Sequence, residues 1–290
     1  MFKLSTILLP VDFSQRAQGA ANHAIALTRQ LHSKLVLVHV MLPLQYEVGT
    51  LEFGGAALGD LIANREGFAR RQLDAFLLNE LQGIEVERVL VEGDPAQKIV
   101  QYAHDAPADL VVMPTHGYGP FRRFILGSVT AKVLHDADCP VWTGVHLEEA
   151  ASPSSVRVGT LLCALDLGEH SAQVLHWAKE AASAFGAKLS IVHAAPQIEV
   201  KPGEYFDTEW RQHMMQMAKE RIAQLQTAAG SSAEVILESG EPAKSVGAVA
   251  RRIGADLLVI GRGSAAGIFG RLRANAYAII RESPCPVVSV

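Results

Sequence analysis

The sequence predicts an α/β fold of two tandem, doubly wound, mainly parallel five-stranded sheets. Three observations carry that expectation. The chain repeats itself: the apolar runs TILLPVD and TLLCALD end at Asp12 and Asp166, 154 positions apart, and LVLVHV, ending at Val40, recurs at that spacing as LSIVHA, ending at Ala194. Beyond these the spacing shortens to 147, where EGDPAQKIV from Glu92 returns as SGEPAKSVG from Ser239 and ADLVVM returns as ADLLVI. Runs such as Leu110 to Met113 show no polar alternation, so both of their faces must be covered. They also alternate with helix-periodic stretches, the pattern of a parallel sheet with helices on both sides.

In the leading repeat the first strand ends at about Asp12. Ser14 is a good N-cap for an Ala-rich helix to about Leu31. The second strand is Lys34 to Val40, and a polar loop from Gly49 to Gly59 leads to a long helix ending near Leu81. There Leu61, Phe68, Leu73, Phe76 and Leu77 sit at helical spacing. Ile84 to Val91 is the third strand. Asp94-Pro95 is a cap followed by proline at the first helical position and starts the third helix. Leu110 to Met113 is the fourth strand, the fourth helix begins at Gly127, and Pro140 to Val145 is the last strand. The trailing repeat follows the same plan: a strand to Asp166, a helix through His176 and Trp177, a strand to Ala194, a loop with Pro202 and Gly203, and a long helix whose Trp210, Met214, Met217 and Leu225 read as core. The expected domains are residues 1–146 and 156–290. A polar linker, 147–155, joins them within HLEEAASPSSVR, short enough for the units to pack together.

Composition narrows the class. A chain of 290 residues with 49% apolar and 19% charged residues suits two soluble globular domains. No window reaches the ~18 uninterrupted apolar residues of a membrane span. The stretch MFKLSTILLPVDFS reads as a strand rather than a signal peptide, so the expected location is cytoplasmic, with no membrane partner. A net charge of −4 with scattered Lys and Arg gives no footprint for nucleic acid. Cys139, Cys163 and Cys285, odd in number and widely spaced, fit neither a disulfide framework nor a zinc site and read as reduced thiols.

One stretch looks chemical. MPTHGYGPFRRFILGS, Met113 to Ser128, holds a strand end, a glycine-bearing loop and a helix start. A helix start carries unpaired N–H groups and about half a positive charge, so a phosphate can be received there. The alternative is an ordinary strand-to-helix connection needing glycine only for its turn. Right-handed crossovers put the first strand beside the fourth, so Asp12 and this loop meet at the sheet's switch point, where ligand crevices open.

These residues together, ILLPVD, LVHV, THG followed by nine residues and GS, and DCPV closing the unit, resemble the universal stress protein family over nearly the whole chain. The family's pattern is Gly, two residues, Gly, nine residues, Gly, then Ser or Thr. Here Pro114, Gly117, Gly127 and Ser128 occupy it, departing only at Pro114, which has no N–H to donate. The resemblance implies an adenine nucleotide alpha hydrolase-like, Rossmann-like fold that binds ATP, or AMP or ADP, with Mg²⁺ able to accompany it. It implies that Asp12 bonds the ribose, that Pro10 and Val11 line the adenine pocket, and that Val40 meets the adenine edge through its backbone. Gly117, Gly127, Ser128, Val129 and Thr130 would hold the phosphates, with Met113, Pro114 and His116 completing the site and His116 shaping its loop. Arg122 and Arg123 either screen the phosphates or form a solvated face.

In the trailing repeat Asp166 survives, but Ala164 replaces Pro10, the loop reads Gly261-Arg262-Gly263, and Arg273 and Ala274 stand where Gly127 and Ser128 stood. That motif is degenerate. No catalytic residue or metal site is expected: the loop lacks the P-loop Lys, and His39 and His193 read as structural. The expected function is nucleotide binding by the leading repeat with a regulatory role in stress response. The alternatives are a non-binding scaffold, a pseudo-dimer, or a very slow ATP hydrolase. The expected partners are the nucleotide, an unidentified protein, the other domain through the last strands (Pro140 to Val145 and Pro286 to Val290), and a homodimer.

Overall fold

The alternation of apolar runs and amphipathic stretches does produce strands and helices in turn in the computed structural model, which describes residues 2–44, 55–116, 126–145, 147, 152–195, 207–262 and 271–290. In the leading repeat β1 (Thr6–Pro10) pairs in parallel with β2 (Lys34–Met41), from Thr6 against Lys34 to Pro10 against Val38. β2 pairs in parallel with β3 (Val86–Glu92), and β1 meets β4 (Leu110–Val112) on its other side. The order is β3-β2-β1-β4, then β5 (Val141–Thr143), so winding reverses between β1 and β4. The trailing repeat follows the same plan. Its strands β6 (Thr160–Ala164), β7 (Lys188–Ala195), β8 (Glu234–Ser239), β9 (Leu257–Ile260) and β10 (Val287–Ser289) lie in the order β8-β7-β6-β9-β10. By its contacts the chain forms two compact units, one of Lys3–Val141 with Leu147–Val156, the other of Arg157–Val290 with Met1–Phe2 and Trp142–His146.

The core follows from strands covered on both faces: Ile7, Leu8, Leu9, Leu35, Leu37, Leu110, Val111 and Val112 are wholly or almost wholly buried. Helices are set by their caps. Ser14 Oγ accepts from Ala17 N–H at 3.2 Å to start α1 (Gln15–Leu31), and Asp94 Oδ1 accepts from Gln97 N–H at 2.9 Å ahead of Pro95 to start α3 (Pro95–Asp105). Between them lies α2 (Gly55–Ala75), and α4 (Ser128–Asp136) follows β4 with Gly127 as its N-cap. The trailing repeat carries α5 (Ser171–Phe185), α6 (Asp207–Ala229), α7 (Pro242–Ile253) and α8 (Arg271–Glu282). One carboxylate per repeat ties the entry of the fourth strand to that of the first. Asp109 Oδ2 accepts from Ser5 and Thr6 N–H at 2.6 and 2.9 Å, and Asp256 Oδ2 from Gly159 and Thr160 N–H at 2.9 and 2.8 Å.

Two expectations are corrected. α2 stops at Ala75 rather than near Leu81, because Leu77 adopts a left-handed backbone (φ 54°) and Arg88, reaching across from β3, donates to the Leu73 and Phe76 carbonyls at 3.0 and 3.2 Å. The apolar stripes of the long helices are also narrower than their spacing implies. Phe68 and Met217 are 56% and 51% exposed, while Ala69 and Leu73 in one helix and Ala218, Ile222 and Leu225 in the other make the contact. The loop at Gly49 to Gly59 up to Gly54, Gly117, Arg122 and Arg123, the loop with Pro202 and Gly203, Gly263, and the side chains of Leu61, Trp210, Arg273 and Ala274 lie outside the described residues.

Cys139, Cys163 and Cys285 are free thiols, the last two buried. Burial pushes Cys285 up to about 11, and Cys163 further still.

Candidate functional site

The sequence-predicted residues converge at the C-terminal ends of β1, β2 and β4. Leaving β1, Pro10 and Val11 are buried and Asp12 is half-buried. Asp12 Oδ1 accepts from the N–H and the hydroxyl of Ser14, at 3.0 and 2.6 Å, and so closes the turn into α1. Phe13, inside that turn, takes a left-handed backbone (φ 61°), a costly conformation for a bulky residue. Its ring is held 4.4 Å from the His39 imidazole and 5.7 Å from the Phe76 ring. The trailing repeat copies the strain at Leu167 (φ 62°). His39 Nδ1 lies 2.7 Å from the Val11 carbonyl and His193 Nδ1 lies 2.8 Å from that of Leu165, so each ring donates there and its tautomer is set.

At the other side of the switch point β4 runs into Met113, Pro114 and Thr115, all buried, and His116, half-buried with Nδ1 2.9 Å from Thr115 Oγ1. The base of the loop is closed twice. Gly127 N–H donates to the Thr115 carbonyl at 2.8 Å, and the Thr130 hydroxyl donates to the Pro114 carbonyl at 2.9 Å. A Cβ on Gly127 would lie 3.1 Å from the Thr115 oxygen, so a larger residue would press the loop base apart by a few tenths of an ångström even though the φ and ψ, −63° and 148°, suit any residue. Pro114 therefore contributes a carbonyl, for which the missing N–H is no handicap.

The start of α4 is the electropositive feature. Its N-cap is glycine and supplies no side-chain acceptor, so among the described residues the leading amides of Ser128, Val129 and Thr130 have no side-chain cap. Gly127 N–H is committed to Thr115, so of the residues expected to offer amides Gly127 closes the loop, and the three that follow it offer the donors. Among the described residues no group of three or more His, Cys, Asp or Glu could hold a metal ion, and no helix is long and apolar enough to cross a membrane.

The trailing repeat keeps one half of this arrangement. Asp166 Oδ1 accepts from Gly168 N–H and the Ser171 hydroxyl, both at 2.9 Å, as Asp12 does from Ser14. The other half has changed. Ser128, the first residue of α4, corresponds to Ala274, which is the fourth residue of α8 as described from Arg271. Arg262 N–H there donates to the Val290 carbonyl at 3.1 Å. Sequence reasoning passed over Thr115, whose carbonyl closes the loop, and Phe13, although an apolar residue after the aspartate in both repeats was a visible signal.

The sequence profile of the universal stress protein family matches residues 3–143 and 158–290. The chain belongs to the universal stress protein family. Its two matched segments coincide with the two repeats. A universal stress protein of Thermus aquaticus is 35% identical over 141 residues, which is 49% of this chain and 97% of that protein. The crystal structure of a universal stress protein from Archaeoglobus fulgidus, 21% identical, covers 99% of this chain and 96% of its own at a TM-score of 0.67, a likeness of fold along the whole chain. A universal stress protein solved in complex with cAMP is 26% identical over 46% of this chain and 97% of its own, at a TM-score of 0.34; cAMP is that protein's ligand.

Proposed function

We propose that the leading repeat binds an adenine nucleotide, ATP or its AMP or ADP relatives, and that the chain acts as a nucleotide-responsive regulator in stress response. The observation that carries this reading is the start of α4. Among the described residues the three successive amides, Ser128 to Thr130, have no side-chain cap, because the glycine ahead of them brings no acceptor of its own. An anionic phosphate satisfies both requirements of that position: it accepts hydrogen bonds and it complements the helix dipole. Asp12 sits just past the end of β1 in the same crevice, where its carboxylate suits the ribose hydroxyls, with Pro10, Val11 and Val40 toward the base and Met113 and His116 beside the phosphates. Mg²⁺ would arrive on the phosphates. The residues engaged bind and orient, and none is assigned a step in hydrolysis.

The Arg273-Ala274 pair in place of Gly127-Ser128 favours a different reading for the trailing repeat, that of a scaffold that does not bind by this mode. Calorimetric titration with ATP and with AMP is expected to give one site per chain, and native mass spectrometry of the purified protein to show one nucleotide mass. Two equivalent sites would refute the reading of the trailing repeat. No saturable binding of any adenine nucleotide would refute that of the leading one and leave the scaffold.

A further inference from the structure

The hydrogen-bond ladder between β1 and β2 stops one rung short. Even-numbered residues of β2 face β1: Lys34 N–H donates to the Ser5 carbonyl at 2.8 Å, and the Val38 carbonyl accepts from Val11 N–H at 2.9 Å. With parallel spacing the next rung is Val40 N–H to the Val11 carbonyl. It is not formed: the paired register ends at Pro10 against Val38, and the Val11 carbonyl is taken by the His39 ring at 2.7 Å. Phe13, whose amide would make the following rung to the Val40 carbonyl, has turned away into its left-handed conformation and stacks on that same ring. Odd-numbered residues of β2 bond to β3, as Met41 does through Gly93 N–H at 2.9 Å, so β3 does not use the Val40 groups either. The trailing repeat reproduces the ladder, the imidazole bond and the left-handed residue, with leucine in place of the stacked ring. Lys188 N–H donates to Gly159 at 2.8 Å, Leu165 N–H to Val192 at 2.9 Å, His193 to the Leu165 carbonyl at 2.8 Å, and Leu167 is left-handed.

The geometry points to His39 as a positioning residue: by substituting its ring for the last ladder rung it keeps the N–H and C=O of Val40 open at the mouth of the crevice, a main-chain donor and acceptor presented side by side. The proposal rests on the nucleotide reading above for the identity of the occupant. An adjacent donor and acceptor match the amino group and ring nitrogen of adenine, whereas guanine carries a carbonyl oxygen where adenine carries its amino donor. His39 thereby sets the preference of the site for adenine without touching the base. Without the ring, the Val11 carbonyl would accept from Val40 N–H, and the edge would close on itself.

Three chains test this: the wild type, His39→Phe, which keeps an aromatic ring against Phe13 but cannot donate, and His39→Asn, whose side-chain amide can donate to the Val11 carbonyl in place of Nδ1. In the ligand-free protein the Val40 amide is expected to exchange with solvent much faster than that of Val38, to become protected in His39→Phe, and to stay fast in His39→Asn. In binding, His39→Phe should weaken ATP by about ten- to thirty-fold, the worth of one to two hydrogen bonds, with GTP changed less than about two-fold and tripolyphosphate unaffected. His39→Asn should restore the ATP to GTP ratio. A Val40 amide already as protected as Val38 in the wild type would overturn the proposal, as would equal losses for ATP, GTP and tripolyphosphate, the mark of a merely structural residue. A wild type that binds neither ATP nor GTP removes the nucleotide reading and the base-selecting role with it, while the exchange pattern still decides whether His39 opens the rung.

Discussion

Replacing Gly127 with alanine tests whether the loop closure it permits also sets the proposed anion-binding amides of α4 in place. The new Cβ would stand 3.1 Å from the Thr115 oxygen and 3.5 Å from the His116 Cα, both backbone atoms that cannot swing aside as a side-chain end can. A relaxed carbon-to-oxygen contact is a few tenths of an ångström longer, so the two strands of the loop base must part by about 0.3 Å. The bond that suffers is the 2.8 Å one from Gly127 N–H to the Thr115 carbonyl. Weakening it costs about 1 kcal/mol, which for a unit of this size lowers Tm by about 3 °C. Binding should suffer more. The amides of Ser128, Val129 and Thr130 move with the helix start, and each hydrogen bond to a charged phosphate is worth about 1.5–3 kcal/mol, so losing part of one weakens ATP by about five- to thirty-fold. Calorimetry at 15 °C, where both proteins are fully folded, measures the affinity, and circular dichroism on heating measures the stability. An unchanged affinity with the expected fall in Tm would show that Gly127 only closes the loop and would remove the α4 lip from the site. No change in either would mean that the 3.1 Å contact relaxes freely.

Two further outcomes follow from groups outside the crevice. Burial of His23 inside α1 pushes its imidazole down from 6.5 to about 4, so between those values the unfolded chain takes up a proton that the folded chain refuses. Stability is therefore complete above about pH 6.5 and falls as pH drops toward 4, by on the order of 3 kcal/mol from this one residue. Urea unfolding at pH 7, 5.5 and 4 should show that loss shrinking in His23→Gln, and parallel curves would exclude His23 as its source. Arg88→Met keeps the aliphatic stem but removes the donors to the Leu73 and Phe76 carbonyls, so it should cost about 1–2 kcal/mol and speed amide exchange in the last turn of α2. Loss of stability without faster exchange there would place the role of the guanidinium elsewhere.

The features that sequence reasoning reached are those decided within a few residues of the chain. Ser14 and Asp94-Pro95 start helices because a cap acts three residues along, and Gly127 marks a helix start because glycine and serine follow an apolar strand at fixed distance. What it missed depends on residues far apart: the Asp109 clamp on Ser5 and Thr6, the reach of Arg88 across to α2, and the outward turn of Phe68 and Met217. No periodicity encodes these, since each requires knowing which strand lies beside which. The site shows the same division. Asp12, Gly127 and Ser128 stand out as a spaced pattern, while the arrest of the ladder by His39 appears only once β1 and β2 are in register. Pro114 illustrates the limit best, because the motif registers it as a lost donor although its carbonyl anchors Thr130. Comparing the repeats separates what is kept from what has changed. The aspartate turn, the left-handed residue after it and the imidazole on the carbonyl are kept in both, and the start of the last helix is not. Every α-helix leaves its first amides unpaired, so the difference lies in which residues stand at that point: Gly127 and Ser128 begin α4, whereas Arg273 and Ala274 are the third and fourth residues of α8.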